Sequence, residues 1–221
     1  QINAGFLGAI LAGFMAGYVV LLIKKYIKLP KTLQGIMPVL VIPVFGSLIV
    51  GLSMFYVFGT PVAAINTAMT NFLTNMEGSS AVVLGLVLGL MMAFDMGGPV
   101  NKAAYAFATG TLVAGSGSMI MAAVMAAGMV PPIGLGVATI IFKKKFSDAE
   151  RESGKSALVL GASFITEGAI PFAAADPLRV IPSIMAGSAL TGALSMAFGA
   201  TLSVPHGGLF VFFAVENLIG Y

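Results

Sequence analysis

Between Ile36 and Phe58 the chain carries no charged residue, and similar apolar runs recur at Ile2–Ile23, Ala81–Phe94, Ala103–Ala114, Ser118–Phe142 and about Ser183–Leu202. A helix needs about 20 mostly apolar residues to cross a bilayer. These runs therefore predict an all-α membrane protein, a polytopic transmembrane helix bundle. Composition agrees: 58% of the residues are hydrophobic and 9% charged, against about 25% charged in soluble domains, and the mean hydropathy is +1.03. The length of 221 residues allows roughly six to eight passes once loops and re-entrant segments are counted. No linker or low-complexity segment divides the chain, so residues 1–221 read as a single transmembrane domain.

Charge is confined to a few places. Lys24, Lys25, Lys28 and Lys31 form one cluster. Lys143, Lys144, Lys145, Arg151 and Lys155, mixed with Asp148, Glu150 and Glu152, form another. Basic loops stay in the cytoplasm and acidic residues count little, so both loops are expected on the cytoplasmic side, with an even number of crossings between them. Ile36–Phe58, Ala81–Phe94, Ala103–Ala114 and Ser118–Phe142 supply four, the middle two being short enough for one to be re-entrant. Between the first two, Thr60–Ser80 places Ile65, Met69, Phe72 and Leu73 at helical spacing, the pattern of an external amphipathic helix near the interface. Gly13 and Gly17 form a GxxxG that would admit a neighbouring helix. The net charge of +3 thus reports topology, and no nucleic-acid partner is expected. The absence of Cys excludes disulfides, thiolate metal sites and cysteine chemistry on this chain. No nucleotide-binding, zinc-protease or Ser-His-Asp motif is present, so neither a metal nor a cofactor is expected.

Ionisable groups within the apolar body are Asp95, Lys102, Glu167, Asp176, Arg179, His206 and Glu216. Charge at bilayer depth costs a few kcal/mol by insertion scales, so each is a functional candidate. Glu167 stands out in "GASFITEGAIPFAAADPLRVIP". Pro171, Pro177 and Pro182 each remove a backbone donor, and irregular backbone at membrane depth survives only where it is buried in protein or lines a cavity. Thr166 and Glu167 are therefore expected at the tip of a re-entrant hairpin facing a polar cavity, where a carboxylate can accept hydrogen bonds from sugar hydroxyls. The competing reading is an interfacial Glu167 paired with Arg179 or Lys102. Asp95, in "FDMGGPVNK", has two equal readings: a substrate contact beside the Asn101 amide, or a helix terminus with Asp95 and Lys102 as a local ion pair. Two Gly/Pro-interrupted apolar stretches, each with an acid, fit discontinuous helices at a transport site. His206, the only histidine, is either a substrate contact or structural. Arg179 either clamps a phosphate at the membrane face or neutralises Asp176.

"FDMGGPVNKAAYAF", "GASFITEGAIPFAAADPLRVIP" and "VPHGGLFV", in this order around the second Lys-rich cluster, resemble the membrane-embedded C component (EIIC) of the fructose family of the bacterial phosphoenolpyruvate-dependent sugar phosphotransferase system. The resemblance covers essentially the whole chain. Family members are longer, so further N-terminal spans and a last C-terminal helix are expected to be missing from this fragment. The resemblance implies a multi-pass permease of the bacterial inner membrane with a glucose-superfamily-like fold, re-entrant hairpins and a homodimeric assembly. It implies sugar uptake coupled to phosphorylation by a phosphocysteine on a partner B component (EIIB), with fructose the commonest substrate. Glu167, beside Thr166, matches the carboxylate that binds the sugar near the phosphorylated hydroxyl, and is the expected catalytic group. Thr166 is expected to bind the sugar with it; Asp95, Asn101 and His206 match motif positions and are also expected to contact the sugar, while Arg179 and Lys102 are candidates for docking EIIB or phosphate. The alternatives are an ion-coupled secondary sugar transporter, with Glu167 and Asp95 holding H⁺ or Na⁺, and a membrane scaffold without transport.

Overall fold

The computed structural model describes residues 4–76, 80–112 and 117–221. They form two compact units, one within Gln1–Asn71 and one within Phe72–Tyr221, and most of the structure is helical.

In the first unit, α1 (Gly5–Tyr26) ends with Lys24 and Lys25 in its last turn, where cations favour the negative end of the helix dipole. The first Lys cluster is thus partly helical. After a 3₁₀ turn at Lys31–Leu33 the chain is helical without a break from a π-turn at Met37–Val41, through α2 (Ile42–Ser53) and a second π-turn at Met54–Phe58, into α3 (Gly59–Met76). The expected stop between a span ending at Phe58 and a separate amphipathic helix is absent. Pro38 falls in the first turn of this stretch, where the missing N–H is no loss, while Pro43 and Pro61 lie within it and do not interrupt it. Residues 77–79 of the proposed amphipathic segment and the side chains of Met69 and Leu73 lie outside the described set. Among the described residues Gly13 and Gly17 meet no neighbour within 4 Å.

The second unit is built on α4 (Ala81–Phe94), α6 (Met119–Ile141) and α9 (Pro177–Ala197). The buried Leu84, Leu88, Met92, Met121, Met125 and Met196 fill the space between them. Small residues set the α4–α9 spacing: a Cβ at Gly89 would overlap the Ser188 carbonyl, and one at Gly85 or Gly192 would overlap the other's backbone. This is the small-residue contact that membrane helices use in place of a hydrophobic drive. α5 (Pro99–Gly110) starts on Pro99, four residues before the expected run at Ala103. The end of that run, residues 113–114, is outside the described set.

The second basic cluster is not a loop. A 3₁₀ turn at Lys143–Lys145 leads into α7 (Asp148–Ala162), whose first turn is closed by a capping box: Ser147 accepts from Glu150 N, and Glu150 accepts from Ser147 N at 2.7 Å. The Ser147-x-x-Glu150 spacing is the sequence signature of that box. Beyond α7 come a 3₁₀ turn at Thr166–Ala169, the short α8 (Ile170–Ala175) and α9. Pro171 and Pro177 sit in the first turns of α8 and α9, and Pro182 lies inside α9. The breaks fall at Ser163–Ile165 and at Asp176. Pro177 accounts for the second, because the residue before a proline is driven out of the helical region and Asp176 stands at φ −145°, ψ 77°; the first has no proline. After α9, Thr201–Leu202 (β1) pairs antiparallel with Val215–Glu216 (β2) around a 3₁₀ segment, Gly208–Ala214.

Among the described residues four helical stretches are long and apolar enough to cross a membrane: Leu7–Tyr26, Met37–Ile65, Met119–Ile141 and Pro177–Ala197. That is fewer than the six to eight passes the length allows. With 14 residues, α4 rises about 21 Å against a hydrocarbon core of about 30 Å. Large apolar side chains such as Val39, Phe55, Tyr56 and Leu190 are exposed, as bilayer-facing side chains are. The chain is a polytopic, mostly α-helical, multi-pass inner-membrane protein.

Candidate functional site

Two interrupted helices meet in the second unit. After α4, Asp95–Gly98 leaves the helix with Met96 at φ 45° and Gly97 at φ 106°. After α7, Phe164 reverses the chain at φ 62°. A left-handed conformation is uncommon for a bulky residue, and such strain of about 1–3 kcal/mol persists where the surroundings over-determine it. Here the Phe164 ring is clamped. A Cβ at Gly128 would overlap it, and His206 and Tyr105 flank it at ring-centroid distances of 5.1 and 6.0 Å.

The two breaks enclose a cavity of about 130 Å³ lined by Met92, Asn101, Lys102, Tyr105, Phe164, Thr166, Glu167 and His206. Lys102 Nζ donates to Glu167 Oε1 at 3.1 Å. A Cβ on Gly97 would overlap that same carboxylate, so glycine is required both for the backbone angle and for the room. The pair's side chains remain 33% and 42% exposed, which puts its worth at roughly 1 kcal/mol or less. At about 130 Å³ the cavity is smaller than ligand pockets, which run from about 300 Å³ upward.

The predicted residues divide into three groups. Thr166, Glu167, Asn101, Lys102 and His206 come together in the cavity. Two of them are already committed to the fold. Asn101, 2% exposed, donates its amide to the free Met92 carbonyl at the end of α4 (2.6 Å), and Thr166, 3% exposed, donates to the Gly128 carbonyl (2.8 Å). Asp95 does not line the cavity. Its two oxygens accept Val100 N at 2.7 Å and Asn101 N at 2.9 Å, satisfying orphan donors in the first turn of α5. Asp95 thus caps a helix terminus, and the Asp95–Lys102 ion pair of that reading does not form, because Lys102 points to Glu167. Arg179 stands in the first turn of α9, almost fully exposed, 3.5 Å from Asp176 and away from the cavity lining. Met92, Tyr105 and Phe164 were missed. Nothing in an apolar or aromatic letter marks a cavity wall, and only the "NKAAY" spacing, which places Asn101 and Tyr105 four residues apart on α5, hints at Tyr105.

A family model described as "Phosphotransferase system, EIIC" matches residues 1–187. The chain is 61% identical over 199 residues to the "PTS system fructose-specific EIIB'BC component" of Rhodobacter capsulatus, covering 89% of this chain and 34% of that protein. It is 54% identical over 203 residues to the protein of that description from Escherichia coli K12, covering 90% and 36%. To the "Fructose permease IIC component" of Bacillus amyloliquefaciens it is 50% identical over 222 residues, covering 100% and 72%. The chain thus spans about a third of the length of the EIIB'BC relatives. No solved structure matches it.

Proposed function

The chain belongs to the EIIC family of the phosphotransferase system, and from that premise we propose that it binds fructose, carries it across the membrane and presents it for phosphorylation. The observation that carries this reading is Glu167, held by Gly97 and Lys102 in a polar cavity between two broken helices. A carboxylate accepts hydrogen bonds only, and a sugar hydroxyl is a donor of matching chemistry. Fructose is favoured by the names of the relatives.

In this mechanism the sugar displaces Lys102 from Glu167, and Glu167 accepts the hydrogen bond of the reactive hydroxyl. That oxygen then attacks, in line, a phosphocysteine presented by EIIB: the new P–O bond forms, the P–S bond breaks, and the cysteine leaves as thiolate. Glu167 takes up the hydroxyl proton as general base, and the freed Lys102 ammonium neutralises charge on the phosphoryl oxygens. His206 and the oxygen of Asn101 contact other hydroxyls. Asp95 serves by capping α5, which fixes Asn101 and Lys102. Arg179, exposed at the start of α9, is a docking contact for EIIB.

The same reading takes the Thr166–Ala169 turn as the tip of a re-entrant hairpin in a glucose-superfamily-like fold, residues 1–221 as one transmembrane domain, and a homodimer as the assembly. Both Lys clusters are placed on the cytoplasmic side. The ion-coupled alternative is weaker, because the relatives' names describe phosphotransferase-system components and a fructose permease IIC component. Glu167→Gln tests the reading: in vesicles containing the full-length protein and supplied with phosphorylated EIIB, fructose phosphorylation should fall about 100-fold or more, the span of general-base effects. An unchanged rate would refute the role of Glu167.

A further inference from the structure

Pro131 and Pro132 stand side by side, fully buried, in the middle of α6. Each lacks the N–H that would bond the carbonyl four residues earlier, so the carbonyls of Ala127 and Gly128 lose their helical donors. A free carbonyl in a membrane interior costs several kcal/mol unless re-satisfied. Both are. Ser188, on α9 and 0% exposed, donates to the Ala127 carbonyl at 2.8 Å, and Thr166 donates to the Gly128 carbonyl at 2.8 Å. Each proline is thus matched by one hydroxyl from another element.

From this correspondence we infer that Thr166 is a positioning residue, and that the Pro131–Pro132 step is the dock onto which the Glu167-bearing turn is seated. The assignment rests on the proposed role of Glu167. The donor hydrogen of Thr166 is committed to Gly128, one residue before the carboxylate that must meet the sugar. Two further contacts register the seat. Gly128 has no side chain because the Phe164 ring occupies that space, and Gly168 lies against Pro132 Cβ, to which an added Cβ would approach within 3.1 Å. The residues before and after Glu167 are therefore keyed to the same two residues of α6. Ser188 keys α9 to the preceding carbonyl and does not line the cavity.

The test is a pair of mutant cycles in the full-length protein. Thr166→Val removes the hydroxyl at nearly constant shape and should lower the rate of fructose phosphorylation per folded transporter by about 10- to 100-fold, the effect of misplacing a reacting group by about 1 Å. Thr166→Ser should retain the rate. Pro132→Ala restores a backbone donor to the Gly128 carbonyl, so on that background Thr166→Val should cost no more than about threefold, a large departure from additivity. An equal loss on both backgrounds would overturn the assignment and place the Thr166 hydroxyl on the sugar instead. The second cycle, Ser188→Ala with and without Pro131→Ala, is read as the thermal midpoint in detergent. Ser188→Ala should lower it on the native background and much less beside Pro131→Ala; equal drops would overturn the docking scheme. Wild-type vesicles separate the two levels of inference. If they form no fructose phosphate, the transport reading fails, while the thermal cycle still decides whether the prolines and hydroxyls are coupled.

Discussion

Gly97→Ala is the sharpest perturbation of the site that adds only one methyl group. At φ 106° an alanine is strained by about 1–3 kcal/mol. Its Cβ would also stand 2.5 Å from Glu167 Cδ, where ordinary contact begins near 3.4 Å. Either Glu167 or the Met96–Gly98 backbone must retreat by about 0.9 Å, the difference between those distances. Moving the carboxylate that far breaks the 3.1 Å bond to Lys102 and shifts the acceptor meant for the sugar. A misplacement of about 1 Å costs about 100-fold in rate. The strain alone lowers stability without touching the chemistry, so two assays are needed: thermal midpoint in detergent, and fructose phosphorylation by vesicles supplied with phosphorylated EIIB, normalised to folded protein. The expected result is a modest drop in midpoint with an approximately 100-fold loss of rate. A normal rate per folded transporter would show that the Gly97–Glu167 contact does not position the carboxylate, and the reasoning would be wrong.

Other outcomes follow from the same contacts. Asp95→Ala removes the acceptor for two amides at the start of α5 and should cost about 1–2 kcal/mol of stability, seen as a lower thermal midpoint, with the larger effect on stability than on fructose affinity. Gly89→Val drives a side chain into the Ser188 carbonyl; overpacking of this kind costs about 1–3 kcal/mol, measurable as a lower yield of monodisperse protein. The capping box gives a pH signature. Hydrogen bonds from the Ser147 side chain and backbone hold the Glu150 carboxyl below the ordinary glutamate value. Its folded pKa is depressed, so its contribution is complete above the unfolded value and is lost as pH falls through the folded one. The acid-side slope of the thermal midpoint should therefore be shallower in Glu150→Gln than in wild type, and an identical slope would contradict the assignment.

Apolar length was readable: α4 begins and ends where its run does, and α6 falls within a residue of its own at each end, with Ser118 as its cap. Proline was informative only in part, because its effect depends on position: Pro177 does mark the break at Asp176. Pro99, Pro171 and Pro177 begin helices, while Pro131, Pro132 and Pro182 lie inside them. For the Pro131–Pro132 step the missing donors are replaced from other elements, which no local pattern reveals. The cavity was partly legible because charge and amide inside apolar stretches are costly and so mark themselves. Glu167, Lys102, Asn101 and His206 do converge. That Asp95 would cap α5 while Lys102 reaches across to Glu167 depends on the turn at Met96–Gly97, where two successive positive φ angles set directions that spacing alone leaves open. The β1–β2 ribbon was equally hidden, since it consists of two residue pairs, Thr201–Glu216 and Leu202–Val215, with the apolar Gly208–Ala214 between them folded as a 3₁₀ segment.

The central claim is that transport through this chain ends in phosphorylation, and the most direct measurement is the chemical form of the sugar accumulated by vesicles containing the full-length protein. Labelled fructose should appear inside as fructose phosphate, only when phosphorylated EIIB is present, and should persist when ion gradients are dissipated. Free fructose that accumulates without EIIB and leaks out when the gradient collapses would contradict the account.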